Sequence, residues 1–207
     1  MIGRRSPGTI HTGRFTLRPL ADKELPALRR WLADERVAGG LAQSARDVGE
    51  RGARAFLAGF DNRESFALAI VRNEDGAALG FYTLKVDWRH LTLTITLVVG
   101  EAEALEQAVA AETARAIVDW AFSSGGLEKV IALVAETNTV VAGWLGTRMQ
   151  LEGRLRDEIR AEATGRRVTL LRFGLLKSDW AKVRARSVHR QAERGFPLAD
   201  APQRGGS

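Results

Sequence analysis

Thr92, Thr94 and Thr96 alternate with Leu91, Leu93, Ile95 and Leu97, so a strand here carries hydroxyls on one face and apolar groups on the other. Such hydroxyls can hydrogen-bond a substrate or a water, but they have no useful basicity near neutral pH. Threonine also simply suits a strand face, which is its commoner role. Other proton-transfer groups are sparse: Tyr82 is the only tyrosine, His90 heads the threonine segment, and Glu136 follows the apolar run Lys129–Ala135. For each of these a structural or solvated role is the more frequent one. The chain has no cysteine, and His11, His90 and His189 show no metal-ligand spacing, so neither a disulfide nor a metal is expected.

Hydrophobic residues make up 45% and charged residues 27%, which excludes a wholly disordered chain and suits one sizeable core. No run of about 18 apolar residues is present, and no apolar segment follows the basic Met1-Ile2-Gly3-Arg4-Arg5. A cytoplasmic protein is therefore expected, without a secretory signal. The net charge of +6 sits at the ends: residues 1–18 and 177–207 each carry +4, leaving −2 between them. Basic ends most often serve solvation, so RNA contact through them is not expected.

The chemistry-bearing residues must be held by the elements around them. Residues 1–12 lack periodicity and read as a flexible basic arm. Phe15–Leu20 alternates as a strand, and Asp22 can cap a helix with Leu25, Leu28, Trp31 and Leu32 at helical spacing. After the break at Gly39-Gly40, a second helix is expected over Ser44–Phe60 with Val48, Phe56 and Leu57 inward; Gly49 and Gly52 are poor residues for its interior. Three strands follow, Ser65–Arg72, Ala78–Val86 and His90–Val99, the first two joined by the turn Asn73-Glu74-Asp75-Gly76. An alanine-rich helix is expected over Gln107–Phe122, then strand Lys129–Ala135, helix Thr139–Met149, and a hairpin of Leu151–Ile159 with Arg167–Leu176 through Ala163-Thr164-Gly165. Beyond Trp180, residues 181–207 read as a frayed helix and then a basic disordered tail. The order predicts one α/β (α+β) domain over 13–180, with a mixed, mostly antiparallel sheet of about seven strands flanked by helices.

Six segments stand out along the chain: Arg14-Phe15-Thr16-Leu17-Arg18-Pro19-Leu20, Glu112 followed by Asp119-Trp120-Ala121-Phe122, Gly126-Leu127-Glu128-Lys129-Val130, Asn138-Thr139, Leu151-Glu152-Gly153-Arg154-Leu155-Arg156, and Gly174-Leu175-Leu176 with Asp179-Trp180. In this order they resemble motifs of the GNAT acyl-CoA N-acyltransferases, in particular the Rim-type branch that includes ribosomal-protein N-acetyltransferases. The first is similar to the opening strand of that family, the second to its central helix, the third to the entry to its fifth strand, and the rest to later motifs. The resemblance implies acyl-CoA bound where the strands 90–99 and 129–135 splay apart. Backbone atoms of Val98, Val99 and Gly100 would pair with the pantetheine arm, and Asn138 would hydrogen-bond the cofactor; helix capping is at least as common for such an Asn. Backbone N–H groups of Gln107, Ala108, Val109 and Ala110 would hold the pyrophosphate at a helix start. The acceptor would be a primary amine of a peptide, a protein or a small molecule, and a homodimer is compatible with the fold.

The chain departs from that pattern at its chemistry. Leu105-Glu106-Gln107-Ala108-Val109-Ala110 stands where the family usually has Arg/Gln-Gly-x-Gly-x-Gly/Ala. A Glu106 carboxylate about 4 Å from a phosphate would cost roughly 1–4 kcal/mol, unless it, Glu101 and Glu103 face water and complement the helix start. Thr94, or Thr96 in a slipped register, occupies the place of a glutamate base, and Val141 or Val140 that of the serine or tyrosine acid. The candidate catalytic residues are Thr94 and Glu136. Trp144 stands where the family has a smaller aliphatic residue, either in the core or narrowing the cleft. Arg30, Arg36, Arg154 and Arg156 can suit an acidic acceptor, although solvation is their commoner role. An acyltransferase is the leading reading. The alternatives are a non-catalytic binding or scaffolding protein that has lost the acetyl-CoA site, and a related enzyme with a changed donor or chemistry.

Overall fold

The threonine strand lies near the middle of a twisted sheet, and the remaining elements are disposed around it. The computed structural model describes residues 6–34, 49–101, 109–160 and 165–184. Among these, strands β1 (Ile10–His11), β2 (Phe15–Pro19), β3 (Ser65–Arg72), β4 (Ala78–Asp87), β5 (Thr92–Val99), β6 (Lys129–Ala135), β7 (Gln150–Arg160) and β8 (Arg167–Leu176) form one sheet. Its order is β1-β2-β3-β4-β5-β6-β8-β7. Only β5 and β6 run parallel, and a parallel pair needs a crossover. Helix α3 (Val109–Phe122) supplies it.

Period-two patterning sorts the sheet into two faces. Tyr82, Leu84, Val86, Leu93 and Ile95 share one face and pack in the main core with Val109, Ile117 and Ala121 of α3. Phe81 and Val98, directly paired across β4 and β5, point the other way. Helices α1 (Leu25–Ala33) and α2 (Glu50–Ala58) cover them with Leu25, Leu28, Trp31, Leu32 and Ala53. The four apolar positions read from the α1 sequence are all buried. Helix α1 is anchored through buried Glu24, whose carboxylate takes Arg18 Nη2 at 2.6 Å and the Ala21 N–H at 3.1 Å. The Arg18 guanidinium is thereby raised above its usual range.

Some boundaries differ from expectation. Ile10–His11 pairs with Leu17 and Thr16 within the stretch read as a loose arm, making an eighth strand. Two residues cannot display a period, so the sequence carries no signal for it. Glu112 of α3 clamps the turn instead, accepting Thr12 Oγ1 at 2.7 Å, the Arg14 N–H at 2.9 Å and Arg14 Nε at 2.8 Å. The strand expected from His90 begins at Thr92, because Leu91 adopts φ +53° in the turn. In the second helix Gly49 is the N-cap rather than an interior residue; Val48 and the rest of 44–48 lie outside the described residues. Helix α4 (Thr139–Gly146) stops short of Met149, where the Arg148 and Met149 N–H groups turn back to Leu145 O. The chain beyond β8 is helical over 177–184, tied to α3 by Trp180 Nε1 donating to Asp119 at 2.9 Å and by Arg184 at 3.3 Å.

Candidate active site

Strands β5 and β6 pair from Thr92 with Lys129 to Ile95 with Ala132 and then part. Beyond that point Thr96–Val99 pair only with β4, and Leu133–Ala135 only with β8. The cause lies in the neighbours. On one side β4 holds β5 through Val99, and the Gly100 and Glu101 N–H groups both donate to Leu79 O, at 2.9 and 3.1 Å. On the other, β8 holds β6 through Ala135. A V-shaped gap opens between two strands that each keep one intact ladder. Ladder groups alternate sides along an antiparallel strand. With Gly100 N–H directed to β4, Val98 faces β4 too, and Leu97 and Val99 present their backbone groups to the gap.

This assignment refines the sequence reading. Val98 and Gly100 sit at the gap's edge with their ladder positions turned to β4, and Val98 is buried beneath α1 and α2. Val99 faces the gap, and so does Leu97, which no side-chain signature singles out, because the register with β4 decides which backbone groups are unpaired.

One wall of the gap comes from α1. Gly100 lies so close to Trp31 that a Cβ there would come within 3 Å of three indole atoms. The indole stacks on Phe81 with centroids 5.9 Å apart, and its Nε1 donates to Glu101 at 3.0 Å. Arg30 donates to the same carboxylate oxygen at 2.8 Å. Glu101 is thus held by α1 while still partly exposed, and Arg30 is engaged with it. Gln107, Ala108, Glu103, Glu106 and Arg36 lie outside the described residues. Val109 is buried in the core, its carbonyl accepting Thr113 Oγ1 at 2.6 Å, and Ala110 is half-buried beside it.

Thr94 stands one residue before the splay, on the same face as Phe81 and Val98 but beyond the part that α1 and α2 cover. It lies on the floor of a cleft of about 720 Å³ with Lys85, Thr92, Lys129, Ile131 and Arg172. Lys129 and Arg172 share Glu152, at 2.6 and 3.4 Å, and the Lys129 ammonium followed by Arg172 holds that carboxyl below its usual range. Gly174 makes room for this arrangement, since a Cβ there would overlap the Glu152 carboxylate. His90 is exposed at the far rim, its N–H bonded to Asp87 at 2.9 Å.

The other candidates are accounted for by local partners. Glu136 is gripped by Arg154, with one contact at 2.7 Å, and this ion pair keeps its pKa below the ordinary carboxylate range. Asn138 caps α4, its side-chain oxygen accepting the Val141 N–H at 3.2 Å. Tyr82 is wholly buried against Thr113 at 2.9 Å, and burial pushes its pKa far above any useful range. Trp144 is half-buried against the core, with Arg148 stacked over its ring at 4.5 Å. Val140 is 82% exposed and Val141 40%, and neither valine side chain carries a proton to donate.

A family model described as an acetyltransferase (GNAT) domain matches residues 14–145. The chain therefore belongs to the GNAT acetyltransferase family, whose members use acetyl-CoA. Solved structures share the fold. A probable GNAT acetyltransferase from Chromobacterium violaceum superposes with TM-score 0.75 at 20% identity, covering 87% of this chain and 91% of its own. A putative acetyltransferase from T. thermophilus gives 0.71 at 22%, covering 89% and 97%. The spermidine N-acetyltransferase from Vibrio cholerae, solved with CoA and spermine, gives 0.71 at 16%, covering 82% and 99%. No curated protein sequence matches the chain significantly. Among the described residues no helix is long and apolar enough to cross a membrane.

Proposed function

We propose that this chain is a cytoplasmic acyl-CoA-dependent N-acyltransferase of Rim-like type that acetylates a primary amine of a peptide, a protein or a small molecule. The observation that carries the reading is the splay beyond Ile95 and Ala132. An extended pantetheine arm fits between the strands there as a short extra strand, pairing with the backbone of Leu97 and Val99. The pyrophosphate would meet the segment Gln107–Ala110, whose N–H groups need no glycine to donate. Glu101, bound by Arg30 and Trp31, removes one carboxylate from that approach.

The amine nitrogen attacks the thioester carbonyl, the C–S bond breaks, and one amine proton ends on the leaving sulfur through solvent. Proximity supplies most of the acceleration in such a transfer. Thr94 contributes a hydroxyl that orients the amine or a water. Glu136, bound to Arg154, is a weak base and helps to hold the mouth of the gap in shape. With no carboxylate base poised among the described residues, log kcat/KM rises with pH until the acceptor amine is itself neutral.

Calorimetric titration with acetyl-CoA and with CoA tests the reading. Micromolar binding, weakened by Ala110→Trp in a protein that still melts cooperatively, supports it. No binding at millimolar ligand overturns it.

A further inference from the structure

Where the family resemblance leads one to expect a carboxylate, the cleft floor of this chain is cationic. Thr94 is paired directly with Lys85 across β4, and Thr92 directly with Lys129 across β6. All four belong to one face of three adjacent strands and line the same cleft. Two hydroxyls thus lie between two ammonium groups. Lys129 shares Glu152 with Arg172, so that trio keeps one positive charge. Lys85 is exposed and has no side-chain partner among the described residues. The acids of the cleft offset this charge only in part. Asp87, paired directly with Thr92, stays ionised while accepting the Arg89 and His90 N–H groups at 3.0 and 2.9 Å, and Glu64 lies beside Lys85 at the outer edge, its carbonyl accepting the Val86 N–H. Against Asp87, Glu64 and Glu152 stand Lys85, Arg89, Lys129 and Arg172, which leaves the lining one net positive charge.

We propose that the acceptor carries a carboxylate, held by Lys85, Lys129, Thr92 and Thr94, with the reacting amine at the splay. Lysine ammonium groups and threonine hydroxyls can all donate to a carboxylate, and charge-assisted donors are the stronger ones. The centre of the quartet lies two to three residues below Thr96, which at about 3.3 Å per residue sets the carboxylate roughly 7–10 Å from the amine. A peptide N-terminus with an acidic third residue spans that distance, as does an unbranched ω-amino acid. The positive floor also favours the neutral form of a nearby amine, which is the form that attacks. The sequence-based hint of an acidic acceptor rested on arginines. Arg30 and Arg154 are occupied by Glu101 and Glu136, and the cations that line the cleft are Lys85, Arg89, Lys129 and Arg172.

This inference rests on the acyltransferase reading and is tested separately from it. Thiol release from acetyl-CoA is measured with matched acceptors: the peptide amides Ala-Ala-Glu and Ala-Ala-Gln, and 7-aminoheptanoate against its amide. The expected result is kcat/KM about 10-fold higher for the anionic member of at least one pair, reduced by added salt. In Lys85→Met the ratio falls to about 2-fold or less, and Lys85→Arg restores most of it. Absence of acetyl-CoA binding sinks the acyltransferase reading itself. Acetyl-CoA binding with equal rates within both pairs, a preference for the neutral members, no turnover of either anionic acceptor, or a ratio untouched in Lys85→Met overturns the carboxylate site alone.

Discussion

Replacing Gly100 by alanine adds one methyl group at the most crowded point of the gap. The new Cβ falls within 3 Å of three indole atoms of Trp31, well inside the usual carbon contact of about 3.5–4.0 Å. Something has to move. Withdrawal of β5 strains the bonds from the Gly100 and Glu101 N–H groups to Leu79 O. Rotation of Trp31 gives up its stack on Phe81 and its bond to Glu101. Overpacking costs about 1–3 kcal/mol, and a lost hydrogen bond adds about 1 kcal/mol. We therefore expect Gly100→Ala to destabilise the protein by about 2–4 kcal/mol, a fall in Tm of roughly 5–15 °C for a chain of this size. Urea denaturation with an unchanged m-value measures it. Alanine has no ring atoms to collide, so in a Trp31→Ala background the same change should cost less than about 1 kcal/mol, a large coupling energy. A cost within about 0.5 kcal/mol, or an equal cost in both backgrounds, would refute the packing argument. Acetyl-CoA affinity should fall together with stability, because Val99 is displaced with Gly100.

Thr113→Val leaves the buried Tyr82 hydroxyl without its partner and should cost about 1–3 kcal/mol in chemical denaturation; adding Tyr82→Phe should recover part of that loss. Burial pushes the Glu112 carboxyl up, but the bonds from Thr12 and from Arg14 outweigh it and leave the pKa lowered. A lowered folded-state pKa gives stability that is present above the unfolded value and lost as pH falls through the folded one. Glu112→Gln should thus cost about 1–3 kcal/mol at pH 7, with the difference from the parent shrinking steadily below about pH 4.5, as read from stability curves at several pH values. Glu136→Gln should lower kcat/KM less than about 5-fold at neutral pH, because the carboxylate serves Arg154 and not the proton transfer; a loss of 100-fold or more in steady-state assays would restore it as the base.

The periodic elements were legible from residue types alone. Alternation over Thr92–Leu97 and the helical spacing of Leu25, Leu28, Trp31 and Leu32 place each side chain on its face before any partner is known, because burial is decided locally by period. The order of elements and the motifs around Glu112, Asp119, Asn138 and Glu152 likewise announced the family. Tertiary structure then showed what three of these motifs do: Glu112 clamps the first turn, Asp119 receives the Trp180 indole, and Glu152 bridges Lys129 to Arg172. The resemblance implied a splay, but the point where it begins was not legible. It depends on which neighbour each strand keeps past Ile95, a balance among four strands from two separate stretches of the chain. Pairing partners were equally hidden. Glu101 and Glu136 looked free in sequence until folding brought Arg30, Trp31 and Arg154 to them, and Lys85, without a side-chain partner among the described residues, stands beside Thr94 only because β4 and β5 meet in that register. Periodicity is a property of neighbours along the chain, whereas charge pairing and strand divergence are properties of neighbours in space.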